Sequence, residues 1–139
     1  MEFKREERLK SKKVLGALFK GGNSYVAYPL RVVWAPIDLQ EIPTATQSAQ
    51  VAISVPKRFF KSAVDRNLLK RRIREAYRLN KPTFYQKLEV QQQPIALMLM
   101  YIAKEPLSYA EIEAGMLKMI RKFPGTKAPD WYLSSVSQN

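Results

Sequence analysis

Apolar residues recur at helical spacing in three segments of the chain. The pattern predicts helices over residues 12–20, from about residue 62 to 79, and from 108 to 123. Each segment is followed by residues that end a helix, namely Gly21-Gly22, Asn80-Lys81-Pro82 and Pro124-Gly125. Ser108 and Glu111 form a capping-box pattern at the start of the third helix. Its apolar side consists of Ile112, Met116, Met119, Ile120 and Phe123.

Strand patterns lie between these helices, over residues 30–35 (LRVVWA), 51–55 (VAISV) and 95–102 (IALMLMYI). A further strand around residues 24–28 is an alternative. Because residues 95–102 are apolar on both faces, they predict a central strand covered on both sides. The order α-β-β-α-β-α predicts an α+β fold, with a single mixed sheet and about three helices. The second helix would form a β-α-β crossover between the strands that flank it.

The remaining segments are polar and show no clear period. Residues 36–50 and 83–94 are predicted to be loops, and residues 124–139 a flexible tail. At 139 residues the chain is predicted to form a single domain, over residues 1–123. Its hydrophobic fraction of 46% and charged fraction of 26% are typical of a globular protein.

The residue types that are absent limit the chemistry. The chain has no Cys and no His, so it lacks thiolates and the commonest general base and metal ligand. This argues against a His-dependent nuclease but leaves open one that uses carboxylates and Mg²⁺. We predict no catalytic residue, metal ligand or cofactor in the chain itself. No apolar run reaches the ~18–20 residues of a membrane span and the start lacks a signal-peptide core, which predicts a cytoplasmic protein without membrane contact.

Positive charge is concentrated in one segment. The net charge of +12 and the pI near 10.0 indicate a polyanionic partner. Residues 56–81 contain ten Lys and Arg against Asp65 and Glu75, which amounts to eight of those net charges. Wound at about 100° per residue, this segment places one group of apolar residues on one side, namely Leu69, Ile73, Ala76 and Tyr77. The far side carries Asn67, Lys70, Arg71, Arg74 and Arg78.

A rigid row of cations on a packed helix predicts contact with nucleic acid, because a guanidinium can donate two parallel hydrogen bonds to phosphate oxygens. The other interpretation is the solvated face of an ordinary helix. Such a face would normally mix Glu with Lys, so nucleic-acid contact is favoured. Lys57 and Arg58, just past a strand end, are further candidates for phosphate contact. General electrostatic contacts are predicted for Arg5, Arg8, Lys12 and Lys13.

Three short motifs surround the basic helix. They read Ser54-Val55-Pro56-Lys57-Arg58, Ala63-Val64-Asp65-Arg66-Asn67 and Lys70-Arg71-x-x-Arg74-Glu75. In these motifs the chain resembles the protein subunit of bacterial ribonuclease P, whose signature is an Arg- and Asn-rich helix after a strand. The opening Lys4–Leu9 and the segment ending at Phe19-Lys20-Gly21 also match, so the resemblance covers roughly residues 3–123.

The resemblance implies an RNA-binding subunit of the ribonucleoprotein endoribonuclease that removes the 5′ leader from precursor tRNA. Ribonuclease P RNA and precursor tRNA would be its partners, with one protein per RNA. The RNA would hold the catalytic Mg²⁺, and the chain alone would be inactive. The implied fold is ribosomal-protein-S5-domain-2-like with a left-handed crossover, against the general right-handed rule. The residues predicted to bind RNA are Lys57, Arg58, Arg66, Asn67, Lys70, Arg71, Arg74 and Arg78.

A second site is also implied. Aromatic residues on amphipathic elements usually belong to the core, but in the family the first helix and the sheet form a cleft for the single-stranded leader, where bases could stack. The candidates are Leu15, Phe19, Tyr28, Val33, Trp34 and Ser54. A one-residue change of register would exchange the faces of Val33 and Trp34. Phe59 and Phe60 are predicted to be structural.

The chain departs from the family pattern in three places. Lys61-Ser62 stands where the family often has Gly-Asn, Leu15 occupies an aromatic position, and the 36–50 loop is longer than usual. Two alternative functions therefore stay open. One is a non-catalytic RNA-binding protein, such as a ribosomal protein or RNA chaperone. The other, a helix-turn-helix DNA-binding protein, is less favoured because a strand rather than a short helix precedes the basic helix.

Overall fold

The computed structural model describes residues 8–9, 12–37, 49–89 and 94–124. Its elements in chain order are α1 (Lys12–Gly21), β1 (Asn23–Ala27), β2 (Leu30–Pro36), β3 (Ala49–Ser54), α2 (Ala63–Glu89), β4 (Ile95–Tyr101) and α3 (Tyr109–Lys122). The strands form one sheet in the order β1-β2-β4-β3. β2 is antiparallel to β1 and β4, and β3 is parallel to β4. The predicted α+β fold with one mixed sheet is confirmed, and the alternative strand is present as β1.

Helix α2 connects the parallel neighbours β3 and β4, as the predicted crossover requires. The left-handed course implied by the resemblance stays a prediction. Most of the predicted 36–50 loop and nearly all of the predicted tail lie outside the described residues, so the domain boundary also stays a prediction. Beside the outer edge of β3, the Leu9 amide donates a 2.9 Å hydrogen bond to the Val51 carbonyl. Across the described residues, no helix is both long enough and apolar enough to span a bilayer.

Helix α3 begins as its sequence predicts. The Ser108 hydroxyl accepts a 3.2 Å hydrogen bond from the Glu111 amide, and the Glu111 carboxylate accepts one from the Ser108 amide at 3.4 Å. Two amide groups that the first turn would otherwise leave unpaired are satisfied in this way. The predicted apolar side is buried throughout, at Ile112, Met116, Met119, Ile120 and Phe123.

Helix α2 runs further than the sequence predicts. The expectation that Asn80-Lys81-Pro82 ends it is wrong, because the helix continues through Pro82 to Glu89. Proline removes one backbone hydrogen bond and crowds the preceding turn. The residues beyond Pro82 offset this cost by burial, because Phe84 and Leu88 lie in the main core. The ring centroids of Phe84 and Phe123 are 5.2 Å apart.

A second contact holds the extension of α2 against α3. The Lys87 ammonium donates hydrogen bonds of 2.8 and 3.1 Å to the carbonyls of Ile120 and Arg121. These carbonyls lie in the last turn of α3, where no later helical amide is available to them. Burial lowers the pKa of Lys87 from its ordinary value. The segment predicted as a loop from residue 83 is therefore helical as far as residue 89.

The two faces of the sheet carry separate cores. On the face toward α2 and α3, Leu97 and Leu99 of β4 pack with Trp34 of β2. On the face toward α1, Ala96 and Met98 of β4 pack with Val33. The expectation that Trp34 is a candidate for the cleft is corrected here, because only 3% of this residue is exposed and its ring centroid is 4.7 Å from that of Phe123.

Helix α3 approaches the β1–β2 turn closely at Gly115. A Cβ atom at this position would lie 2.6 Å from Pro29 Cδ and 2.7 Å from the Tyr28 carbonyl oxygen. Neither atom belongs to a flexible side chain that could move aside. The absence of a side chain at Gly115 therefore permits the contact that seats α3 on this turn.

Candidate nucleic-acid interface

The basic side of α2 faces solvent while its apolar side is fixed in the core. Leu69, Ile73, Ala76 and Tyr77 are fully buried, as the helical winding predicts. On the opposite side Asn67, Arg71 and Arg74 are exposed, and Lys70 is half-buried. Among the described residues, Lys70, Arg71 and Arg74 have no hydrogen-bonding or ion-pair partner. Their charges therefore remain available to an anion outside the protein.

Arg66 is engaged with the protein itself. Its Nη1 atom donates hydrogen bonds of 2.7 and 2.9 Å to the carbonyls of Phe60 and Lys61. These carbonyls belong to the connection between β3 and α2, so the side chain fastens that connection to the first turn of the helix. The Nε and Nη2 atoms of the guanidinium make no hydrogen bond within the described part of the chain. Arg66 can thus hold the loop and still present donors to a phosphate.

Arg78 is paired with an acid one turn earlier. Its guanidinium forms a two-pronged ion pair with the Glu75 carboxylate, in which Nε lies 3.1 Å from Oε2. The hydrogen bond from Arg78 holds the pKa of Glu75 below its usual value, so the carboxylate stays ionised at neutral pH. The pair reduces the net charge that this end of the basic side offers to an anion.

Lys57 and Arg58 lie in the turn between β3 and α2, and both are exposed. Arg58 is placed over the neighbouring Phe59 ring, with its Cζ atom 4.7 Å from the ring centroid. Both residues are thus next to the N-terminal end of the basic helix. The structure therefore brings all eight residues predicted to bind RNA onto α2 and the turn before it.

A groove of about 360 Å³ lies on the α1 face of the sheet. Its walls combine apolar and polar groups, with Arg31 and Val33 from β2 and Met100 from β4 among them. The remaining lining residues are Leu18, Gly22 and Ser24. The Arg31 Nε atom donates a 3.2 Å hydrogen bond to the Ser24 hydroxyl, which holds the guanidinium over the strands.

The predicted cleft residues fall into different places. Val33 lines the groove, Leu15 packs against the small core below it, and Ser54 is opposite Met100 in the sheet register, which puts it on the same face. Tyr28 is exposed in the β1–β2 turn but is absent from the groove lining. The Phe19 side chain lies outside the part of the chain that the structure describes.

Sequence reasoning missed five of the six groove residues, namely Leu18, Gly22, Ser24, Arg31 and Met100. The exposed Arg31 carried a usable signal, because side chains two apart on a strand share a face. Placing Arg31 on the solvated face would have assigned Val33 to the groove and Trp34 to the core. The residues that the structure describes contain no group of three or more His, Cys, Asp or Glu that could hold a metal ion.

Comparisons with known proteins agree on one family. A family model described as Ribonuclease P matches residues 3–123. The chain is 34% identical over 121 residues to the ribonuclease P protein component of Porphyromonas gingivalis, covering 87% of this chain and 85% of the relative. It is 30% identical over 127 residues to that of Petrotoga mobilis, covering 86% and 93%.

Two solved structures share the fold. The ribonuclease P protein of Staphylococcus aureus superposes with a TM-score of 0.66 at 18% identity, covering 87% of this chain and 98% of that one. The protein from Thermotoga maritima gives a TM-score of 0.63 at 22% identity, covering 86% and 99%. The same fold is thus found in proteins whose sequences have diverged widely.

Proposed function

Since the chain belongs to the ribonuclease P protein family, whose members are the RNA-binding component of the endoribonuclease that matures the 5′ ends of tRNA, we propose that its α2 helix binds the RNA subunit and its groove binds the leader. Ribonuclease P RNA is its partner in the complex. Precursor tRNA is the second partner, and one protein acts per RNA. This work would take place in the cytoplasm.

The row of Lys70, Arg71 and Arg74 on the solvent side of α2 supports the first part of this proposal. The helix is held in place by its buried apolar side, so the three cations keep their relative positions without an RNA. Preorganised cations lose less conformational entropy on binding than cations on a mobile segment. Two of the three are arginines, which bind phosphate through a planar fork. Arg66, Asn67, Lys57 and Arg58 extend the surface toward the start of the helix.

The division of labour in the proposal gives bond cleavage to the RNA subunit. The chain has neither His nor Cys to act as a general base or nucleophile. We assign the Mg²⁺ ions that activate water and stabilise the leaving oxygen to the RNA subunit. The protein then contributes binding and orientation of the substrate, and by itself cleaves no RNA.

The groove on the α1 face suits a single strand. Val33 and Met100 give it an apolar floor, against which bases can pack without regard to sequence. Arg31 adds one cation beside that floor, which can contact a backbone phosphate. Because the groove is on the face of the sheet opposite to α2, the leader and the RNA subunit would not compete for the same residues.

The α2 assignment is tested by assembling the chain with its cognate RNA subunit. A double variant, Arg71→Ala with Arg74→Ala, should bind the RNA less tightly, and the slope of log affinity against log salt should fall by roughly one per lost phosphate contact. The matched control removes two charges from α3, as Lys118→Ala with Arg121→Ala, and should keep the slope of the unmodified protein. Equal slopes for both double variants would refute the assignment.

The groove assignment is tested with the assembled enzyme at low Mg²⁺. Arg31→Gln should weaken binding of leader-bearing precursor tRNA while leaving the affinity for mature tRNA unchanged. Cleavage by the protein without its RNA should be undetectable in the same assay. An Arg31→Gln enzyme that loses equal affinity for both tRNAs, or for neither, would contradict the groove assignment and leave the α2 assignment intact.

A further inference from the structure

Phe59 is an exposed aromatic ring that lies beside two cations from different loops. It is 37% exposed and follows β3 in the chain. The Arg58 guanidinium carbon lies 4.7 Å from the ring centroid, and the Lys104 ammonium nitrogen lies 5.8 Å from it. Both cations are themselves exposed. The loop after β3 and the loop after β4 thus meet at a single surface cluster of Arg58, Phe59 and Lys104, called the Phe59 cluster below.

The two loops are held together beneath this cluster. Phe60 is buried, and its ring packs edge-on against the ring of Tyr101, with the two ring centroids 5.7 Å apart. The Tyr101 hydroxyl donates a 2.6 Å hydrogen bond to the Glu105 carbonyl and accepts one of 2.9 Å from the Leu107 amide. Tyr101 therefore fixes the loop that carries Lys104, while Phe60 fixes the loop that carries Phe59.

Both loops are also fastened to α2. Arg66 donates to the carbonyls of Phe60 and Lys61 in the first loop. Arg72 donates a 2.5 Å hydrogen bond to the Leu107 carbonyl in the second. The Phe59 cluster consequently has a fixed position relative to the basic side of the helix.

We propose that the Phe59 cluster is a stacking platform for one unpaired nucleotide of the RNA subunit. The Phe59 ring and the Arg58 guanidinium plane are both groups on which an unpaired RNA base stacks. Lys104 supplies a cation for the phosphate of that nucleotide. This inference rests on the proposed role of α2 and extends it from phosphate contacts to contact with a base. The RNA subunit is the occupant because both loops are tied to α2, whereas the leader groove is on the other face of the sheet.

Binding of the RNA subunit by Phe59→Ala and Phe59→Leu tests the platform. Loss of one base–aromatic stack should weaken binding by about 5- to 150-fold for Phe59→Ala. The salt slope should stay unchanged, because no phosphate contact is removed. Lys104→Ala should instead lower the slope by roughly one. Leu117→Ala, which truncates an exposed apolar side chain on α3, is the matched control and should bind like the unmodified protein.

Circular dichroism and thermal unfolding check that each variant is folded. Phe59→Leu keeps most of the apolar volume but removes the π system, so it decides the question if Phe59→Ala fails to fold. Normal RNA affinity of a folded Phe59→Leu variant, together with weakened binding by the Arg71 and Arg74 double variant, would overturn the platform alone. Normal affinity of both would overturn the proposed role of α2 as well. A Phe59 defect seen only with precursor tRNA would overturn the choice of occupant.

Discussion

Replacing Arg66 by Ala should reduce both the stability of the protein and its affinity for RNA. The sequence pattern alone predicts a loss of affinity without a loss of stability, because it gives Arg66 only a role in RNA binding. In the structure its Nη1 atom also bridges the carbonyls of Phe60 and Lys61. Removal of the side chain leaves these two carbonyls without their donor.

The magnitude follows from the exposure of the two hydrogen bonds. A hydrogen bond to a charged group contributes about 1.5–3 kcal/mol when it is well shielded, and about 0.5–1.5 kcal/mol is typical of an ordinary one. The bond to Phe60 is partly buried, while the bond to Lys61 is exposed and its carbonyl can regain water. We therefore expect Arg66→Ala to lower the free energy of unfolding by about 1.5–2.5 kcal/mol in total.

Urea unfolding measures this change, because urea leaves the ionic strength constant. Arg74→Ala is the matched control: it removes one exposed arginine from the same helix and should change stability by less than about 0.5 kcal/mol. Both variants should reduce the salt slope of RNA binding. If Arg66→Ala unfolds at the same urea concentration as the unmodified protein, the loop-fastening role assigned to Arg66 is wrong.

Three further substitutions test packing and charge. Gly115→Ala should destabilise the protein by about 1–3 kcal/mol, because the new Cβ would collide with Pro29 and the neighbouring backbone. Gly16→Ala should stabilise α1 by up to about 1 kcal/mol, since apart from the adjoining helix backbone no atom of the described residues lies within 4 Å of its added Cβ. Thermal unfolding distinguishes the two variants, and similar melting temperatures would contradict the packing at Gly115. Glu75→Gln should strengthen RNA binding and steepen its salt dependence, because it removes the carboxylate that pairs with Arg78; unchanged affinity across salt concentrations would place Arg78 outside the interface.

The sequence predicts the orientation of α2 well but not its length. Apolar spacing suffices to identify the buried side, since Leu69, Ile73, Ala76 and Tyr77 recur at the period of a helix. Its end depends on contacts between distant segments. Pro82 is a strong local signal for termination, and the burial of Phe84 and Leu88 against α3 overrides it. Such burial cannot be read from residues 80–89 by themselves.

The apolar centre of β2 does not reveal the register of the strand, which only the polar Arg31 near its start indicates. Val32, Val33 and Trp34 are all buried, so the strand shows no alternation of apolar and polar residues at its centre. The cause is that both faces of this strand are covered, one by α1 and the other by α3. Likewise, the cationic residues of α2 look equivalent in the sequence, although Arg66 holds a loop and Arg78 holds Glu75. Contacts in the folded protein therefore give these arginines different roles, which the sequence of the helix alone does not reveal.

The alternation of side chains along β4 separates the two proposed binding activities genetically. Met98 and Met100 face the groove side, while Leu97 and Leu99 face the core beneath α2. Of the two methionines, Met100 lines the groove, whereas Met98 is buried in the small core. Under the proposed function, mutations at Met100 would therefore change which leaders fit without moving α2. Selection for a new substrate preference and selection for a stable particle would act on different residues of the same strand. A library randomised at Met100 should yield altered specificity far more often than loss of assembly.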